Sequence, residues 1–139
     1  MARKVWIFAA LSSRTKVDLA CAVIELALAR LNLRTRRTRE LIAAPPAEWT
    51  PLKVCEAELV ERVAFAIPRV AARVPWRADC LVQALAAQCW LRRHQVATTL
   101  TLGIPENRPV SFTAHAWLTA GDCVVTGGEI RDYVPLTQK

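Results

Sequence analysis

The sequence lacks several features that would have sent its reading elsewhere. No two of its five cysteines (Cys21, Cys55, Cys80, Cys89, Cys123) have the two-residue spacing of a zinc knuckle or a thioredoxin-like redox pair, and an odd number cannot all pair. Neither a disulfide framework nor a structural zinc is expected. No apolar run approaches the ~20 residues needed to cross a bilayer. The start places Arg3 and Lys4 before the apolar Val5 to Leu11, which faintly resembles a secretory signal. That apolar run is short and a Lys/Arg-bearing helix follows directly, so it is read as mature protein. Reduced thiols and the lack of a span make a cytoplasmic location the expectation. There is no finger, no RGG tract and no interleaved basic and aromatic stripe, so nucleic acid is not an expected partner. Histidine is also scarce, with only two residues in 139.

Acidic residues are outnumbered. Nineteen Lys and Arg against twelve Asp and Glu leave a formal charge of +7, which suits either solubility or an acidic partner. Hydrophobic residues make up 53% and charged residues 22%, a balance that predicts a packed globule. A length of 139 residues corresponds to a single domain, 1–139, with one core and one site.

Ser12 and Ser13 are placed to cap a helix beginning near Arg14, whose apolar face runs from Val17 to Leu31. The basic stretch Arg34, Arg36, Arg37 and Arg39 is expected to close that helix, as a solvated end or as a dock for an acidic peptide. Pro45, Pro46 and Pro51 predict an irregular connection from Ala43 to Pro51, with Trp49 as an anchor. Helical periodicity returns from Leu52 to Val74, and Pro68 is expected to divide it into two short helices. Asp79 stands at an N-cap position, and Cys80 to Arg93 fits a largely buried helix. Val96 to Gly103, Phe112 to Thr119 and Cys123 to Thr126 read as strands, the last two joined by a turn at Gly121 and Asp122. Helices first and a small antiparallel sheet after them make an α+β fold.

Cys80 would sit in the first turn of its helix, where free N–H groups and the helix dipole favour a thiolate and can hold an oxyanion. A thiolate nucleophile needs a base that also protonates the leaving amine, and histidine does both near neutral pH. At about 1.5 Å per residue the helix carries His94 roughly 21 Å from Cys80, which leaves His115 on its strand. A cysteine at a helix start and a lone strand histidine are each also compatible with plain packing. The orienting acid is open. A hairpin turning at Gly121 and Asp122 sets Gly127 and Gly128 opposite His115, and neither has an acid. Glu129 would serve if the strand bulges by a residue; Asp132 and Asp122 lie further off, and a backbone carbonyl or an amide is a further possibility. Gln83 and Gln88 are read as a solvated helix face, Trp76 and Trp117 as core, and Cys89 and Cys123 as buried, inert thiols.

The words around these residues form a pattern. Arg77-Ala78-Asp79-Cys80-Leu81, then Gln83-Ala84-Leu85, Leu91-Arg92-Arg93, Leu102-Gly103-Ile104 and Phe112-Thr113-Ala114-His115-Ala116-Trp117-Leu118 resemble the lasso-peptide leader peptidases. The similarity runs from about Val74 to Gly128, with a weaker echo from Lys16 to Arg30. It implies a transglutaminase-like, papain-related fold, with a helical region at 1–74 and a catalytic core at 75–139. It further implies a cysteine protease that removes the leader from a ribosomal precursor before a separate cyclase closes the ring. On that resemblance Cys80 is the nucleophile and His115 the base, and neither cofactor nor metal is required. The fused leader-recognition domain of some members has no room before the first helix, so the resemblance implies a separate leader-binding protein. Acyl transfer on the same fold and a catalytically silent precursor-binding scaffold are the alternatives.

Overall fold

Ser12 accepts a hydrogen bond from the Thr15 amide at 3.2 Å and so begins helix α1, Ser13–Leu31, as its sequence predicts. The computed structural model describes residues 11–43, 48, 50–107, 111 and 113–136. The segment before Leu11, most of the proline-rich connection including Trp49, and Phe112 lie outside the described residues.

The basic stretch does not close α1. The helix stops at Asn32, and Thr35 donates to the Asn32 carbonyl at 2.8 Å while accepting from the Thr38 amide at 3.3 Å. That local cap starts a separate helix, α2, Arg36–Ala43. The expectation of two helices around Pro68 is also corrected, because α3 is continuous over Val54–Ala71 with the proline inside its last turns. The arginines that follow cover carbonyls at this end: Arg69 Nη1 donates to Phe65 O at 3.0 Å and Arg73 Nη1 to Arg69 O at 2.6 Å. Helix α4, Cys80–Arg93, begins at Asp79, whose side chain accepts from the Val82 amide at 3.2 Å. It is the central element, packed against α1, α3 and the sheet, with Val82, Ala84, Leu85, Ala86, Ala87 and Leu91 buried.

The strands are β1 (Thr99–Pro105), β2 (His115–Ala120), β3 (Cys123–Thr126) and β4 (Tyr133–Pro135), antiparallel in the order β3-β2-β1-β4. β4 was not foreseen; three residues ending in proline carry no periodicity to find. Helices precede a small antiparallel sheet, and the fold is α+β.

Register decides which side chains face the helices. Leu100 pairs with Leu118 and Leu102 with Ala116, and these four belong to the core or pack on it. The alternate positions point the other way: Thr101 pairs with Trp117 and Gly103 with His115. Trp117 is only 4% exposed because its indole lies over Gly103, where a Cβ would come within 2.6 Å of the ring. Three ion pairs tie α1 to its neighbours, an exposed one between Arg14 and Glu58 of α3 at 2.7 Å and two on buried carboxylates. Asp18, buried, takes Arg62 of α3 through Nε at 2.9 Å and through Nη2, and buried Glu25 pairs with Arg93 of α4.

Candidate active site

Cys80 is half-buried at the first position of α4. The Asp79 side chain takes the Val82 amide and the Asp79 carbonyl takes the Gln83 amide at 2.9 Å. The Cys80 and Leu81 amides are then the first-turn donors with no acceptor in their own helix. An anion formed beside the sulfur would meet two N–H groups and the positive end of the helix dipole.

His115 opens β2, and its ring packs 4.7 Å from the Tyr133 ring and 6.1 Å from that of Trp117. Its Nε2 lies 2.7 Å from the Gly127 carbonyl oxygen. A carbonyl only accepts, so Nε2 carries the hydrogen and donates it, and Nδ1 keeps the lone pair that a base requires. Cys80 and His115 border one open cleft of about 460 Å³, together with Ala64 and Pro68 of α3, Gln83 of α4, and the run Val124 to Gly128. No hydrogen bond joins the Cys80 sulfur to the imidazole among the described residues; unliganded sites commonly hold such pairs further apart than the reacting complex does.

The bulge that would have brought Glu129 opposite His115 does exist. Thr119 pairs with Val124 while Leu118 pairs with Thr126, so one extra residue stands on β3. The strand then ends, and Gly127 and Gly128, at φ 108° and 64°, turn the chain away. Glu129 is exposed, accepting from the Arg131 amide at 3.3 Å and standing 3.5 Å from its guanidinium. The structure therefore does not bring Glu129 to the imidazole; a main-chain oxygen takes that position. Asp122 and Asp132 are exposed, and His94 caps the far end of α4. The hairpin spacing sets Gly127 opposite His115, and of the alternatives for the orienting group it is a backbone carbonyl that stands there.

Other expectations need correction. Gln88 is buried at 6% exposure, with Oε1 unpartnered among the described residues, and Gln83 is half-buried, donating to Ala78 O at 2.9 Å at the edge of the cleft. Neither is a solvated face. Cys123 is exposed on edge strand β3, whereas Trp76 packs against the core as expected and also lines an apolar groove between α1 and α3. Thr126 is 2% exposed and also borders the cleft shared by Cys80 and His115; its hydroxyl has no partner among the described residues. All five cysteines are free thiols. No helix among the described residues is long and apolar enough to cross a membrane.

A thiol at a helix N-terminus, an imidazole on the adjoining sheet and two free amides are the parts of an acyl-transferring cysteine site. No curated protein and no solved structure matches the chain. A family model described as the transglutaminase-like superfamily matches residues 20–138, covering α4, its cysteine and the whole sheet. With most of its length matched and an α+β fold of that kind, the chain belongs to the transglutaminase-like superfamily.

Proposed function

We propose that the chain is a cysteine peptidase that cuts the leader from a ribosomal lasso-peptide precursor before a separate cyclase closes the ring. The observation that supports peptide-bond chemistry is the cleft that Cys80 and His115 both line, with the Nε2 of His115 already occupied by Gly127. In this reading Nδ1 takes the thiol proton as the sulfur bonds to the scissile carbonyl carbon. The oxyanion rests on the Cys80 and Leu81 amides. As the C–N bond breaks, the imidazolium returns its proton to the departing amine and a thioester remains. Water, deprotonated by the same nitrogen, then releases the carboxylic acid and restores the thiol. No metal or cofactor enters these steps.

The choice of a leader as substrate rests on the motif blocks around Cys80 and His115 described above, and it brings with it a separate leader-binding protein as partner. The test is cleavage of the precursor by the purified chain together with that protein. Cys80→Ala is expected to abolish cleavage while the melting transition is unchanged; retained cleavage would overturn the assignment. Mass spectrometry of the released leader distinguishes a free acid from an amide, and an amide would make the chain an acyltransferase.

A further inference from the structure

A second groove, of about 630 Å³, lies at the opposite end of α4 from Cys80. Its floor is apolar, made by Leu28 and Ala29 of α1, Leu41 of α2, and Leu85 and Cys89 of α4. Its rim is basic: Arg37 of α2 and Arg92 and Arg93 of α4 face it with one carboxylate, Glu25. That carboxylate is buried and paired with Arg93. Arg37 and Arg92 have no carboxylate at ion-pair distance among the described residues. Both stand near the Cys89 thiol, where their charges partly offset the upward push that burial gives its pKa. The groove thus presents two uncommitted guanidiniums over a greasy floor. Arg34 and Arg39, neighbours in the same basic run, are exposed and do not line it.

We propose that this groove is an exosite for an acidic, apolar-spaced segment of the substrate peptide, seating a leucine-like side chain on Leu85 and Leu41 and its flanking carboxylates on Arg37 and Arg92. A concave site of this volume suits a few residues of extended chain better than the broad surface of a folded protein. Charge selects the occupant: the unpaired rim is cationic, and guanidiniums take carboxylates in two-point geometry. From Cys80 to Arg92 is about 18 Å along the helix, which an extended peptide covers in roughly six residues. The acidic segment must therefore lie at least about that far from the bond cut at Cys80. Placing it in a leader rests on the peptidase reading; the preference of the groove for carboxylates does not.

The experiment is fluorescence polarisation with the Cys80→Ala chain, so that binding is read without turnover. The probes are a fluorescein-labelled peptide Gly-Ser-Glu-Leu-Glu-Ser-Gly and its counterpart with Lys for Glu. The acidic probe is expected to bind and the lysine probe not to. Affinity should fall about tenfold in Arg37→Glu/Arg92→Glu, and less than about twofold in Arg34→Glu/Arg39→Glu, which reverses as much charge outside the groove. Raised salt should weaken the acidic probe. An unchanged melting transition shows that each variant is folded. Equal binding of the two probes, equal losses in the two double variants, or no binding of the acidic probe would overturn the exosite, the last leaving the groove to a folded partner. Because cleavage is not measured, loss of the peptidase reading alone would leave this result standing.

Discussion

The Nε2 of His115 lies 2.7 Å from the carbonyl oxygen of Gly127, so the imidazole is oriented by the main chain just beyond the end of β3. An aspartate in this position would add a full negative charge behind the ring. A carbonyl supplies direction and a partial charge, and its placement depends on backbone conformation, not on a rotamer.

The first prediction follows from that dependence. Gly127 has φ 108°, and a Cβ there would stand 2.3 Å from the Trp117 Cβ. Gly127→Ala is expected to cost about 2 kcal/mol in urea unfolding and to displace the carbonyl, lowering peptidase activity more than tenfold at a temperature where the variant is folded. Full activity in a folded variant would show that the ring is held by something else.

The acid foreseen from sequence gives a contrasting expectation. Glu129 engages Arg131 in solvent, so Glu129→Gln should leave kcat/KM within about twofold, whereas His115→Ala should lower it by about a hundredfold or more. Comparable losses in the two would return Glu129 to the site.

Thiol reactivity should separate the cysteines. Burial pushes the Cys89 thiol above its ordinary range, while Cys55 and Cys123 are exposed. In iodoacetamide labelling at neutral pH followed by peptide mass mapping, Cys89 should react last of the three. The same shift has a sign for stability. The folded protein holds the Cys89 proton longer than the unfolded chain, so the stability it contributes is fully present below the unfolded thiol pKa and is lost as pH rises through the folded one. Cys89→Ala should flatten that alkaline decline in urea midpoints.

The pair Asp18 and Arg62 bears on stability alone. Arg62→Leu strands a buried carboxylate and is expected to destabilise by about 3 kcal/mol, and a double Asp18→Leu/Arg62→Leu variant should recover much of that loss. Additive losses in the denaturation series would mean that the two side chains are not coupled.

Sequence reading succeeded where one local rule governed. Asp79 followed by an apolar run located α4, and the turn at Gly121 located the β2–β3 hairpin. It failed at two local devices and where tertiary partners decided. Thr35 caps a helix in which four of eight residues are charged, and Arg69 and Arg73 each donate to the carbonyl four residues earlier around Pro68. Gln88 looks polar along the chain and is buried because three elements converge on α4. The ring-orienting group is a backbone carbonyl, one of the alternatives open from sequence, but a carbonyl is present at every residue and no side-chain pattern marks Gly127 as its source. Cys123, read from sequence as buried, is exposed at the start of edge strand β3, whose later residues Val125 and Thr126 are buried.

Trp117 occupies space that its neighbours gave up by being glycine, Gly103 on one flanking strand and Gly127 beyond the other. A sheet this small ordinarily needs a second layer to keep its far side dry; here the Trp117 indole spans from β2 over Gly103 of β1, beside the rings of His115 and Tyr133. Removing it would therefore wet the surroundings of His115 from behind while leaving every helix in place.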